Sequence, residues 1–232
     1  SYAFASCSGF EGSLIIPDSV IEISKYAFYK CEKLKSIQFT ENSELKIIGR
    51  KSFFSTSIES ISIPSKVQQI GERCFQECEN LKNVIFPEES ELNSIEKYTF
   101  SFSWIENINI PNNVTRISER SFSYCKNLKT IKFEEESKLQ IIEKNSFFNS
   151  NIERINFPTN LRDLQEGWCS YTNRLTHISI SNNNPNYKYQ DNKIIIGKNQ
   201  ESETETEYEN LLFARRDIKE ITIPNYIKKI NS

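Results

Sequence analysis

A thiol nucleophile needs a base beside it, and the only imidazole in this chain is His177. Six cysteines accompany it, at positions 7, 31, 74, 78, 125 and 169. A cysteine hydrolase would also require a group to orient the base and a pocket around it. A zinc site would require clustered sulfur and nitrogen ligands at short spacing. Neither pattern is present, because Cys31, Cys78 and Cys125 recur at intervals of 47 residues. Carboxylates recur as well, at Glu41 and Glu44, at Glu88, Glu89 and Glu91, and at Glu134, Glu135 and Glu136. Calcium demands six to eight oxygens within ~2.6 Å. These acidic loops belong to separate segments and read as a solvated ridge. No Gly-rich phosphate loop occurs, and the net charge of −2 offers no basic face for nucleic acid or anionic lipid. The sequence therefore predicts no enzyme, no metal and no cofactor.

The elements that carry these residues are set by a repeat. Pro17, Pro64, Pro111 and Pro158 stand 47 residues apart, as do Leu34, Leu81, Leu128 and Leu175. Phe28, Phe75 and Phe122 keep the same interval. Fixed periods of this length mark stacked solenoids. Each unit divides into two related coils, with starts at Leu34, Ile58, Leu81, Ile105, Leu128, Ile152 and Leu175. Every coil opens with triplets such as Leu34-Ile37-Phe39 or Ile105-Ile108-Ile110, whose last two members alternate with polar residues as in a strand. Proline then ends the ladder in the short coils, since it has no N–H to give. Stacked parallel strands at ~4.8 Å spacing should form one sheet of about nine strands, from Leu14 to Ile223. The following stretch, Gly71 to Cys78 for example, reads as a short helix on the opposite, convex side. The expected fold class is thus an α/β repeat solenoid. It would be a curved rod with one parallel β-sheet on its concave face and short helices or irregular turns on its convex face. Residues 1–232 are expected to form a single solenoid, a segment of a longer protein, with an irregular insertion at about 181–217. Within it, Ile194-Ile195-Ile196 and Leu211-Leu212-Phe213 read as a two-stranded hairpin with an acidic tip. The repeat should resume at Ile218-Ile221-Ile223-Pro224.

The pattern Ile58-x-x-Ile61-x-Ile63-Pro64-x-x-Val67-x-x-Ile70-Gly71-x-x-x-Phe75-x-x-Cys78-x-x-Leu81 resembles the BspA-type (Treponema pallidum-type) leucine-rich repeat. The likeness covers nearly the whole chain, although the asparagine that usually follows a leucine-rich-repeat strand is missing. It implies a surface protein of mucosal bacteria or protists that adheres to host or bacterial surfaces, and it brings no catalytic residues with it.

Alternation along the strands places Ser36, Gln38, Ser60 and Ser62 on the outer face, followed by Asn83, Ile85, Asn107 and Asn109. Thr130, Lys132, Arg154, Asn156, His177 and Ser179 continue it. Short polar side chains let a partner approach closely and supply both donors and acceptors. The candidate binding residues are Asn83, Ile85, Trp104, Asn107, Asn109, Lys132, Arg154 and His177. Ile85 is an apolar residue on a polar face, and Trp104 stands just before a strand, where aromatic anchors are effective. Lys35, Glu59, Lys82, Glu106, Lys129 and Glu153 alternate in sign and read as a cross-strand charge ladder. The cysteines read as small buried side chains. Cys7 and Cys31 form the one geometrically conceivable bridge, and Cys169 falls in the phenylalanine place beside Trp168. No apolar stretch is long enough to span a membrane. The sequence predicts a non-enzymatic module binding a protein or glycan on a host or bacterial surface. An intracellular scaffold on the same solenoid is the alternative. Asn113-Val114-Thr115 is the single acceptor motif whose glycan would mark export.

Overall fold

The computed structural model describes residues 3–7, 9, 12–198 and 208–231. Its spine is a stack of parallel strands, Gly12–Ile16, Leu34–Phe39, Ser60–Ser62 and Asn83–Ile85, then Asn107–Ile110, Thr130–Phe133, Arg154–Phe157 and His177–Ile180. Between the two sets the ladder thins, and the Glu106 N–H still reaches the Lys82 carbonyl at 3.3 Å. Equivalent residues lie opposite one another: Ser60 faces Asn83, and Thr130 lies between Asn107 and Arg154. This register buries Ile37, Ile61, Val84, Ile108, Ile131, Ile155 and Ile178 and turns their polar neighbours outward. A strand of period two between two identical neighbours has no other way to hide its apolar row.

A second parallel ladder, not foreseen from the sequence, runs along the side of the coils. It is built from two-residue strands: Glu22–Ile23, Ile47–Ile48 and Gln69–Ile70, then Ser94–Ile95, Arg116–Ile117, Ile141–Ile142 and Asp163–Leu164. The isoleucine or leucine that ends each one enters the core.

The convex-side helices expected from the sequence do not form. In their place each described coil makes a run of tight turns, and the reason lies in where the amide hydrogens go. Lys51, Phe53 and Ser55 donate to the carbonyls of Glu72, Cys74 and Gln76 in the next coil, at 3.0, 3.1 and 2.9 Å. A helix would send those same N–H groups back to residue i−4 of its own chain. Only the intervening Ser52 and Phe54 bond locally, to Gly49 and Lys51. The arrangement needs two left-handed residues four apart in each turn: Lys51 and Ser55, Arg73 and Glu77, Tyr98 and Phe102, Arg120 and Tyr124, Asn145 and Asn149. Left-handed backbone costs about 1–2 kcal/mol per non-glycine residue. The inter-coil hydrogen bonds, each worth about 0.5–1.5 kcal/mol net, and the rings beneath them offset that cost.

Those rings form a column. Phe28, Phe53, Phe75, Phe100, Phe122 and Phe147 stack with centroids 5.2–5.6 Å apart. Cys169 does take the next backbone place, but the ring of Trp168 fills the column instead, edge-on to Phe147 at 6.0 Å. Beside the column, Cys31, Thr56, Cys78, Ser103, Cys125, Ser150 and Thr172 share one slot. The Cys78 and Cys125 thiols donate to the Phe53 and Phe100 carbonyls, both at 3.1 Å. All six cysteines are free, Cys7 and Cys31 included. The backbones of Lys35, Glu59, Lys82, Glu106, Lys129 and Glu153 stack as expected. Among the described residues, however, no ion pair joins their side chains. Pairs form on another side, from Arg50 to Glu72 (3.6 Å), Lys97 to Glu119 (3.3 Å) and Arg116 to Glu143 (2.7 Å).

The insertion is more than a hairpin. Ile194–Gly197 pairs antiparallel with Asn210–Ala214, as expected, and a third strand, Tyr187–Gln190, pairs antiparallel on its other side. Lys229–Ile230 adds in parallel to Asn210–Leu211. The acidic tip, residues 201–207, lies outside the described residues. Ile218, Ile221 and Ile223 are not in a strand, so the main sheet has eight described strands, not nine. What returns after Pro224 is the side ladder. Phe213 packs on Trp168 at 6.0 Å, which joins this island to the aromatic column.

Candidate functional site

The outer face of the main sheet carries the candidate residues at known depths. Asn83, Ile85, Asn107 and Asn109 are exposed in its middle, with Ile85 57 % exposed. Trp104 is 46 % exposed, so it does not bury itself over the neighbouring coil. Lys132 is exposed and pairs with Glu134 at 2.8 Å. Arg154 and His177 lie directly opposite one another in adjacent strands.

These last two are drawn into a cleft of about 710 Å³. Its floor is main-sheet surface, with Thr130, Arg154, Asn156, His177 and Ser179. Its wall belongs to the island: Tyr189 from the Tyr187–Gln190 strand, Asn192 from the turn after it, and Arg215 and Asp217 from beyond Ala214. The sequence gave no sign of this wall, because the island has no repeat partner to align with. The one local signal is the opposite charges at Arg215 and Asp217, two residues apart. Asn109 lines a separate notch of about 510 Å³ with Asn112 and the carboxylates of Glu88 and Glu134 to Glu136. Among the described residues, no group of three or more metal-ligating side chains is gathered.

The wall is held rigidly. Arg215 donates from Nε and Nη2 to the two oxygens of Asp217, at 2.9 and 2.5 Å, and from Nη1 to the Asn192 carbonyl at 3.1 Å. The Tyr189 hydroxyl donates to the same carbonyl at 2.8 Å. The bond to Arg215 holds the Asp217 carboxyl below the usual carboxylate range, and the carboxylate in turn raises Arg215. Burial pushes the Tyr189 phenol up. The island is tied to the coils from beneath as well. Tyr187 Oη accepts from the Leu164 N–H (2.9 Å) and donates to the Arg162 carbonyl (3.0 Å). Across the cleft the Thr176 hydroxyl and His177 Nδ1 are 3.0 Å apart. The Arg154 guanidinium has no side-chain partner among the described residues.

The cysteines stand away from this face. Burial pushes the Cys78 thiol up to about 11 and the Cys125 and Cys169 thiols up to about 12, so they are protonated and shielded. Asn113, the possible glycan acceptor, uses its side chain between coils. Its amide donates to the Ser90 carbonyl at 2.8 Å, and its oxygen accepts from Lys138 at 2.8 Å.

A stack of parallel strands with an apolar column behind and a polar face in front defines a leucine-rich-repeat protein. This chain belongs to the BspA type leucine rich repeat region family, whose model matches residues 1–129 and 93–192 in six copies. No curated protein matches it. Among solved structures it is similar to a leucine rich cell surface protein from Faecalibacterium prausnitzii A2-165, at 25 % identity and a TM-score of 0.63, covering 93 % of this chain and 49 % of that one. It is also similar in fold to a leucine-rich repeat protein from Eubacterium ventriosum ATCC 27560, at 16 % identity and a TM-score of 0.56, covering 94 % and 51 %. The chain thus spans about half the length of these two proteins. Among the described residues no helix is long and apolar enough to cross a membrane.

Proposed function

We propose that residues 1–232 act as one non-enzymatic binding unit of a longer microbial cell-surface protein, adhering to a protein or glycan partner through the outer face of the main sheet. The observation that carries this reading is the continuity of that face. Rows of short polar side chains, interrupted by the exposed Ile85, lead without a break into a cleft walled by the island. Membership of the family and the cell-surface description of the Faecalibacterium relative support a surface location. The buried thiols do not argue for an intracellular scaffold. Desolvation keeps Cys74, Cys78, Cys125 and Cys169 protonated, and thiols in that state survive in either compartment.

The test is a screen of the purified segment against matrix proteins and glycans, repeated with Ile85→Arg and with Asn83, Asn107 and Asn109 changed to alanine. These positions are exposed, so the fold should stand and adherence should drop. Adherence that ignores all four substitutions would remove this face from consideration. Antibodies against the segment should label intact cells of the source organism, and labelling only after lysis would count against the surface location.

A further inference from the structure

We propose that the cleft between the main sheet and the island is a subsite for a carboxylate-bearing saccharide. This rests on the reading of the outer face as a binding surface and names the ligand class for one end of it.

The charge in the cleft is the first argument. Arg215 and Asp217 neutralise each other through a two-point bond. Arg154 is exposed on the floor with no side-chain partner among the described residues, and His177 sits opposite it in register. The cleft therefore presents one uncommitted planar cation. A guanidinium with its fork of N–H groups matches a carboxylate in a two-point contact.

The lining is the second argument. Around that cation lie hydroxyls and amides, Thr130, Asn156, Ser179 and Asn192, with Tyr189 as the ring on the wall. Such groups can bond both as donor and as acceptor, which suits sugar hydroxyls. The isoleucines of the floor, Ile131, Ile155 and Ile178, are 0, 3 and 8 % exposed and face the core. No apolar pocket is thus left on the floor for the side chain of a peptide. The floor strands Thr130–Phe133 and Arg154–Phe157 are each paired on both sides, so an extended peptide finds no free strand edge there. A cleft of about 710 Å³ falls in the ~300–1,000 Å³ range of small-ligand sites. The bidentate Arg215–Asp217 pair and the Tyr189 hydroxyl fix the wall before any ligand arrives, which lowers the ordering cost of binding.

The experiment titrates the purified chain with 3′-sialyllactose and a hyaluronan tetrasaccharide. Lactose is the neutral counterpart, and tetra-alanine with a free C-terminus is the peptide counterpart. Affinity is read by calorimetry, and amide shifts locate the contact. The carboxylated sugars should bind about tenfold or more tighter than lactose, the factor that one charged hydrogen-bonding contact supplies. Arg154→Gln should abolish that preference and leave lactose binding unchanged. Arg154→Lys, which keeps the charge but loses the fork, should retain part of it. Asn83→Ala with Ile85→Ala should leave it untouched. Equal affinity for lactose and sialyllactose, a preference that survives Arg154→Gln, or tighter binding of tetra-alanine would each overturn the proposal. Loss of adherence in the Ile85 variants with no acidic-sugar binding sinks this subsite and spares the broader reading. Acidic-sugar binding through Arg154 with adherence indifferent to Ile85 upholds the subsite and sinks the mid-sheet role.

Discussion

Replacing Phe100 by alanine removes the middle of the aromatic column and tests whether the coils are held together through it. Phe100 is fully buried, with ring centroids 5.6 Å from Phe75 and 5.4 Å from Phe122. Deleting a buried phenylalanine costs about 3–5 kcal/mol through lost transfer energy and the cavity left behind. Two ring contacts vanish at once, each worth about 0.5–1.5 kcal/mol beyond area, which places the loss toward the upper end. Domains hold only ~5–15 kcal/mol in total. In a solenoid each coil is stabilised by its neighbours alone, so a weak interface in the middle lets the two sides unfold separately. Urea unfolding followed in parallel by far-ultraviolet circular dichroism and by tryptophan fluorescence would show this. Trp168 is 2 % exposed and reports the C-terminal side. The two transitions should coincide in the parent and separate in Phe100→Ala. Phe102→Ala is the control, because that ring is 40 % exposed and stacks on Tyr124 at 4.4 Å, so about 1 kcal/mol is expected. A Phe100→Ala loss below about 1.5 kcal/mol, or transitions that remain coincident, would refute the argument.

Other expectations follow from the same geometry. Desolvation raises the thiols of Cys74, Cys78, Cys125 and Cys169 in the folded state, with partial relief from hydrogen bonds to Ser52, Thr56, Ser103 and Thr172. Unfolded thiols ionise near ~8.5, so above that pH the unfolded chain binds fewer protons than the native one and stability falls. The slope is about 1.4 kcal/mol per pH unit for each thiol, and each contribution ends as pH passes the folded value, about 11 for Cys78 and about 12 for Cys125 and Cys169. Urea midpoints at pH 8, 9 and 10 should decline, less steeply in Cys125→Ser; a flat profile contradicts the burial argument. A Cβ on Gly71 would lie 2.5 Å from the Arg50 nitrogen and 2.8 Å from the Gly49 carbonyl carbon. Gly71→Ala must therefore push two backbones apart, at about 1–3 kcal/mol in thermal unfolding, and an unchanged melting temperature would show that the coils yield freely. Tyr187→Phe strips the Leu164 N–H and the Arg162 carbonyl of a shared buried partner. The loss should be about 1–3 kcal/mol, with faster hydrogen exchange at Leu164, and unaltered protection there would mean that the island is anchored elsewhere.

Much of this molecule is written in its letters, and the limit is physical. Period 47 and the alternation after Leu34, Ile58 and Leu81 specify which residues stack and which row faces inward, because one register buries every isoleucine and a slip would expose them. The outer positions of Asn83, Ile85, Arg154 and His177 followed from that alone. The turn from Gly71 to Cys78 did not, since its composition suits a helix and nothing local reveals that the amides of Arg73, Phe75 and Glu77 bond to Lys97, Thr99 and Ser101 one coil away. Nor did the charge pairs, because spacing stacks Lys35 on Glu59 without saying where flexible side chains extend.

The chain by itself determined the coil, its core and its exposed face, since a repeated sequence allows each element one kind of neighbour. Tertiary structure alone decided the cleft. Tyr189, Asn192, Arg215 and Asp217 belong to the segment without a repeat, and only the docking of that segment through Phe213 and Tyr187 carries them to Arg154 and His177.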